Sequence, residues 1–264
     1  MSNAHPAPSR AHVLFTNDKI YLAVEDVTDG HLVSSLCIDT DGTPQSVSTH
    51  FFERPELSQP YTDTTLYIDY GGKYCIVPQS FLGQGIPSAV WLGDKDEETH
   101  VLKSLLPDQQ YGIIYSIPRM IHEFCERSFS LQTYRHPIAP LLSCVATHSR
   151  RNPQPTLVAV LHSTTIDLIH YRDDRLELAN RYRIQNEVDA LYYISAAWRH
   201  FGLIGASDHL ALFGENLDML KSLRDLLTDS IAHLTLNDYA ALGAKRPALP
   251  PELPPLLQFR LICA

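Results

Sequence analysis

Nowhere does this chain string together the roughly 18 to 20 uncharged apolar residues that a membrane helix needs, and its mean hydropathy is -0.13. The sequence therefore predicts a soluble protein with no membrane insertion. Positive charge is scarce as well: 21 Lys and Arg stand against 30 Asp and Glu, for a formal net charge of -9. A surface of that sign repels phosphate backbones and anionic lipid, so no nucleic acid is expected as a partner. Cysteine pairs are missing too. Cys37, Cys75, Cys125, Cys144 and Cys263 include no C-x-x-C, and most sit in apolar runs such as SSLCID and KYCIV. An odd number of thiols in such surroundings fits a reducing, cytoplasmic location. The 13 His residues form neither H-E-x-x-H nor a Cys/His cluster, so no metal site is expected. G-x-S-x-G, G-x-G-x-x-G and G-x-x-x-x-G-K-[ST] are all absent. Their absence removes the usual marks of hydrolases, dinucleotide enzymes and P-loop proteins.

The chain does contain enough apolar material for a sizeable core, 44% of 264 residues, a length that suits one large domain or two ordinary ones. Residues 1–10 (MSNAHPAPSR) have no apolar centre, so they are not a secretory signal, and a flexible tail is expected over residues 1–11. The second half is the easier to read. Residues 156–162 (TLVAVLH), 165–171 (TIDLIHY) and 175–183 (RLELANRYR) are rich in β-formers. The turns between them, Ser163-Thr164 and Arg172-Asp173-Asp174, are so short that they can join only antiparallel neighbours. Residues 186–201 (NEVDALYYISAAWRHF) predict an amphipathic helix, with Asn186 as N-cap, Glu187 and Asp189 in the first turn, and Gly202 beyond the end. Val188, Leu191, Ile194, Trp198 and Phe201 mark its expected apolar face. A strand at 209–213 (HLALF), a helix opened by Asn216 and a last apolar run at 231–236 (IAHLTL) follow. The order β-β-β-α-β-α-β is that of ribonuclease-H-like and actin-like subdomains, an α/β class.

The first half opens on a similar meander at 12–16, 19–25 (KIYLAVE) and 31–38 (HLVSSLCI), followed by a loop over 39–63 with a short helix at 54–59. A hairpin is expected from 65–70 (TLYIDY) and 73–77 (KYCIV) around Gly71-Gly72, since glycine supplies the positive φ of a tight turn. Residues 88–92 and 111–116 are strand candidates. Residues 118–127 read as a helix with Ile121, Phe124 and Cys125 on one face, and 138–145 as another. The predicted division is a subdomain at 12–146, a second at 147–240 and a proline-rich arm at 241–264. The boundary is placed in the polar run 147–155 (THSRRNPQP), or slightly earlier near His136-Pro137. Residues 246–255 (RPALPPELPP) hold five of the 18 prolines and predict an extended polyproline strip, with 256–263 (LLQFRLIC) as a final strand or packing arm.

The stretches KYCIVPQSFL, GIIYSIPRMIHEFCERSF with Tyr134-Arg135-His136 after it, RLELANRYRIQNEVDALYYI and HLALFGE, in that order, resemble a bacterial family of unknown function with an actin-like ATPase fold. The most specific passage runs from Asn180 and Tyr182 to Asp189 ahead of Leu191-Tyr192-Tyr193. The resemblance covers residues 12–238. It implies two ribonuclease-H-like subdomains facing each other across a cleft, and it implies no activity.

Actin-like ATPases hold phosphates and magnesium between two β1-β2 turns of the form Asp-x-Gly. A carboxylate orders the metal's waters and glycine lets backbone N-H groups approach the phosphates. Here the second-half turn is His162-Ser163-Thr164-Thr165, with neither carboxylate nor glycine. The first-half turn, Thr16-Asn17-Asp18-Lys19, keeps Asp18 but lacks glycine. Asp69-Tyr70-Gly71-Gly72 matches Asp-x-Gly but falls in the expected hairpin. Where an adenosine loop would carry Gly-Gly, the chain has Gly214-Glu215. Asp18, His162, Ser163, Thr164, Gly214 and Glu215 thus mark a degenerate nucleotide cleft, with no catalytic residue, metal ligand or cofactor expected. Neither meander places an Asp in the middle of its first strand, which argues against a two-metal nuclease. Cys125 and His122 share a helix and could pair as nucleophile and base, although packing of Cys125 beside Phe124 is the favoured reading. Arg150-Arg151 is read as solubilising charge. The expected function is a non-catalytic interaction or assembly module with an unidentified protein partner, its oligomeric state left open. The alternative is a divergent nucleotide-binding ATPase or phosphotransferase that uses Asp18, Asp69 and Gly214 with ATP and magnesium.

Overall fold

The structure is a computed structural model that describes residues 8–83, 88–92, 98–106, 110–244 and 249–263. The chain divides into two compact units, Met1–Pro137 and Ile138–Ala264.

In the first unit, β1 (Ser9–Thr16), β2 (Lys19–Asp26) and β3 (Leu32–Asp39) form the expected antiparallel meander. Then come α1 (Pro44–Glu53), α2 (Pro55–Ser58) and β4 (Asp63–Asp69). β4 lies parallel to β1. The remaining elements are β5 (Tyr74–Pro78), α3 (Gln79–Leu82), α4 (Ser88–Leu92), β6 (Thr99–Leu105), β7 (Tyr111–Pro118), α5 (Arg119–Ser128) and β8 (Gln132–Arg135). One sheet has the order β3-β2-β1-β4-β8, and a second the order β5-β7-β6. α1 starts at Pro44, where a missing N-H costs nothing, and the Thr43 hydroxyl accepts from Ser46 N at 3.2 Å. It buries Val47 and Phe51. The Phe51 ring meets Phe124 of α5 at 5.6 Å and Phe129 at 5.1 Å, and Phe129 in turn meets Phe15 of β1 at 6.2 Å. These edge-on ring contacts hold α1 and α5 against the sheet.

The second unit comprises α6 (Ile138–Arg151), β9 (Thr156–Leu161), β10 (Thr165–Arg172), β11 (Arg175–Arg183), α7 (Glu187–His200), β12 (His209–Gly214), α8 (Leu217–Leu227), β13 (His233–Leu236), a 3-10 turn (Ala240–Leu242) and α9 (Pro255–Ile262). Its sheet order, β11-β10-β9-β12-β13, repeats that of the first unit strand for strand. β9 and β12 are buried along their whole length, as befits central strands covered on both faces. Leu157, Ala159, Leu161, Leu210 and Leu212 pack with Ile194, Trp198, Leu220 and Leu223 of α7 and α8. On the opposite face Phe213 meets Phe259 of α9 at 4.9 Å, and Tyr239 closes the triangle at 5.1 and 5.0 Å. Asp173 and Asp174 both adopt left-handed φ, 48° and 65°, which suits the right-handed twist of a tight hairpin.

Several expectations are corrected. The strands at 65–70 and 73–77 do not form a hairpin. β4 pairs with β1 and β8, whereas β5 pairs with β7 in the other sheet. Gly71 turns the chain with φ 69°, and a Cβ on Gly72 would lie 2.5 Å from Ser116 O. Residues 88–92 are helical, an ambiguity inherent in short apolar runs. The stretch read as an aperiodic loop contains α1. Residues 147–151 close α6 instead of beginning a linker. Ser9, Arg10 and Ala11 pair within β1 rather than fraying, while residues 1–7 of the expected tail lie outside the described residues. The C-terminal segment is a helix, because Pro255 occupies its first turn and Leu256, Leu257, Phe259, Leu261 and Ile262 are all buried; residues 246–248 of the proline strip lie outside the described residues. On α7, Val188 is 63% exposed and the buried stripe is Ala190, Ile194, Ala197 and Trp198. Among the described residues no helix is long and apolar enough to cross a membrane.

Phe259 anchors α9 and Phe52 is 74% exposed. Phe259→Ala is expected to cost about 3–5 kcal/mol and Phe52→Ala less than about 0.5 kcal/mol, read from the midpoints of urea unfolding curves.

Candidate functional site

In each sheet the first strand lies parallel to the fourth, so their C-terminal ends emerge side by side, the edge where α/β sheets commonly place ligands. In the first unit that edge pairs Thr16 with Asp69. The Thr16 hydroxyl lies 2.9 Å from Asp18 Oδ1 and accepts from Lys19 N at 3.0 Å. Asp18 O accepts from Thr40 N at 2.8 Å. Gly42, at φ 71°, comes so close that a Cβ there would lie 2.2 Å from Asn17 O. The turn is thus held from below by the segment after β3, and the Asp18 side chain is exposed. Asp69 Oδ1 accepts from Gly71 N at 3.2 Å. The Asp69-Tyr70-Gly71-Gly72 string is therefore the link between two sheets. It sits beside the turn that carries Asp18.

In the second unit the corresponding edge pairs Leu161 with Gly214. His162 N donates to Thr165 O at 2.8 Å, and Thr164 O accepts from Ile184 N at 2.9 Å; the side chains of Ser163 and Thr164 are exposed. A carboxylate does reach this turn, from a position the motif reading passed over. Asp167 of β10 is fully buried. Its Oδ2 lies 2.8 Å from His162 Nε2, and Arg181 of β11 makes a two-pronged pair with it, Nε to Oδ1 at 2.9 Å and Nη2 to Oδ2 at 2.7 Å. Asp167 and Arg181 face each other across the β10-β11 ladder. Burial alone would push the Asp167 carboxyl up. The Arg181 charge and the hydrogen bonds from Arg181 and His162 outweigh it and hold the group well below the usual carboxylate range. Asp167 thus serves as an internal counter-charge.

Gly214 is equally occupied. Its N-H donates to Asn237 Oδ1 and its carbonyl accepts from Asn237 Nδ2, both at 3.0 Å. Asn237 takes a left-handed φ of 46° and its own N-H donates to Leu212 O at 2.8 Å, so the clamp is fixed at both ends. A Cβ on Gly214 would lie 3.1 Å from Leu161 O; the glycine permits close approach of β12 to β9. Glu215 is exposed, and the Asn216 side chain caps α8 by accepting from Met219 N at 3.0 Å.

His122 and Cys125 diverge. Cys125 is buried beside Ile121 and Phe124, and burial, then the nearby Glu126, push its thiol well up. His122 stacks on His100 with ring centroids 3.7 Å apart. Arg150 pairs with Asp174 at 2.6 Å. Among the described residues no group of three or more His, Cys, Asp or Glu is arranged to hold a metal ion.

Asp167, Arg181 and Asn237 were not reached by motif reading. A lone carboxylate inside the apolar run TIDLI is itself a signal, since a buried charge needs a partner. Arg181→Ala leaves that charge buried and uncompensated, and is expected to cost about 3–5 kcal/mol at neutral pH. In the native protein the folded Asp167 pKa lies below the unfolded value, so its contribution is present above about pH 4 and lost as the pH falls toward the folded pKa. In Arg181→Ala the folded pKa rises above the unfolded one, so the deficit against the native protein narrows on acidification. Urea unfolding from pH 7 down to pH 3 checks the sign.

Three solved structures share this architecture. A Bacteroides thetaiotaomicron VPI-5482 protein described as having an actin-like ATPase fold and unknown function is 17% identical, with a TM-score of 0.84 over 99% of this chain and 98% of that one. The PilM-PilN type IV pilus biogenesis complex matches at 10% identity and a TM-score of 0.63, covering 90% of each chain. The ethanolamine utilization protein EutJ from Carboxydothermus hydrogenoformans matches at 7% identity and a TM-score of 0.51, over 92% of this chain and 89% of that one. At these identities the likeness is one of fold. No curated protein sequence matches significantly. A family profile matches residues 12–233. The chain has the actin-like ATPase fold, and it belongs to the family described as "Protein of unknown function (DUF3822)".

Proposed function

We propose that this protein is a non-catalytic interaction or assembly module of the cytoplasm, built on an actin-like fold whose nucleotide chemistry has been replaced by internal bonding. The observation that carries the reading is the Asn237 clamp: both backbone groups of Gly214 are committed within the protein. The commitment of Asp167 to Arg181 and His162 supports it at the neighbouring turn. PilM, which shares the fold, is seen in a complex with PilN; a protein partner is the kind of ligand that this reading assigns here. The formal charge of -9 favours such a partner over nucleic acid.

One observation favours a second reading. Asp18 and Asp69 stand at the same end of adjacent strands in the first unit, the right kind of place for a carboxylate-ordered magnesium and a phosphate. A divergent ATPase or phosphotransferase would use them.

A thermal unfolding scan with millimolar ATP and magnesium separates the two. The module reading predicts an unchanged midpoint, whereas a ligand at 100 times its dissociation constant adds about 2.7 kcal/mol. ATP hydrolysis that is lost on Asp18→Ala establishes the second reading and overturns the first. Capture from the native cell tests the partner: a specific protein retained at stoichiometric yield is expected, and a monomer that retains none contradicts the module.

A further inference from the structure

The most reactive arrangement outside the candidate site lies under the C-terminal helix. Cys144, on α6, and Cys263, just beyond α9, place their sulfurs 2.7 Å apart. A covalent S-S bond is about 2.05 Å long, so closing the gap takes a movement of well under ~1 Å. Cys144 is buried, with its sulfur 3.8 Å from Leu242 O of the 3-10 turn, while Cys263 is half-buried. The packing of α9 keeps the two together: Leu256, Leu257, Phe259, Leu261 and Ile262 are all buried, and Phe259 is wedged between Phe213 and Tyr239.

We propose that Cys144 and Cys263 are a reversible redox site that takes a low-molecular-weight disulfide as its oxidant, and that the resulting bond fastens α9 to α6. The order of events follows from the environment of each thiol. Cys263 is half-buried whereas Cys144 is buried, so an external disulfide meets Cys263 first. The Cys263 thiolate attacks one sulfur of the external disulfide, that S-S bond breaks, and one small thiolate leaves. Cys144 then gives up its proton and attacks the sulfur of Cys263 in the mixed disulfide, forming the internal bond and expelling the second small thiolate. The two protein thiols lose two electrons and two protons, and the external disulfide is reduced to two small thiols.

The bond spans 119 positions of sequence, a long loop whose closure restricts the unfolded chain strongly. It also ties down the helix that covers Phe213, the residue before Gly214. The three remaining cysteines are set apart by environment: burial raises the thiols of Cys75 and Cys125, and Cys37 lies on β3 of the other unit.

The test incubates the full-length protein with excess oxidised glutathione at about pH 8 and maps the products by mass spectrometry. Expected are a fall from five free thiols to three, a cross-linked peptide pair that contains Cys144 and Cys263, and a thermal midpoint raised by about 5 °C or more, all reversed by a dithiol. Cys144→Ser stops at a glutathione adduct on Cys263, and Cys263→Ser leaves Cys144 unmodified. A wild-type protein that ends as the glutathione adduct with Cys144 still open to alkylation overturns the proposal. So does one that retains all five thiols.

Discussion

A parallel pair of strands at the centre of each sheet governs everything else in this molecule. β4 lies parallel to β1 and β12 parallel to β9. Parallel neighbours cannot be joined by a tight turn. The chain must cross over, and it does so through α1 and α2 in the first unit and α7 in the second. In the second unit α7 and α8 cover one face of the central strands and α9 packs on the other, which accounts for the unbroken burial of β9 and β12. The crossovers also gather the strand ends on one edge. Asp69 is delivered beside the turn that carries Asp18, and Gly214 beside His162.

What the two units do with that edge differs. At that edge of the second unit Asp167 and the Gly214 backbone both have internal partners, as the cost of an unpaired buried charge or amide requires. Asp167 reaches the turn from a buried strand and must meet Arg181 and His162. Asn237 adopts a left-handed backbone to reach Gly214. The result is two sets of internal hydrogen bonds at that edge, Asp167 with Arg181 and His162, and Gly214 with Asn237. In the first unit the turn is shaped by backbone contacts through Thr40 and Gly42, and the Asp18 carboxylate stays at the surface. The two edges thus differ in that the second commits Asp167 and Gly214 to internal bonds, whereas the first leaves the Asp18 side chain exposed.

The alternating meanders were readable from sequence because short turns and strict periodicity leave few options; 165–171 and 175–183 are strands as expected, as is the helix opened by Asn186. Short apolar segments were not. Residues 88–92 have too few positions to separate a helical from an extended period, and 65–70 with 73–77 looked like a hairpin because a Gly-Gly turn does not reveal that its flanking strands join different sheets. Residues 256–263, expected as a strand or a packing arm, do pack, but as a helix, because Pro255 sits in the first turn of α9, where its fixed φ favours a helix; Pro254 ahead of it is extended, as the proline strip predicts. Short spacing between strands places turns at 16–19 and 162–165, and the apolar run HLALF ends one residue before Gly214, which closes β12. Asp167 is marked locally as a carboxylate inside an apolar run, but its pairing with Arg181 depends on strand register and the reach of Asn237 on a left-handed residue, and no local pattern encodes either.

The central claim is that the backbone of Gly214 is committed to Asn237. Hydrogen exchange of the Gly214 amide, followed with and without magnesium-ATP, tests it most directly. The account predicts slow exchange that the nucleotide leaves unchanged. Fast exchange that slows saturably as magnesium-ATP is added would show an open amide taken up by a ligand, and would contradict it.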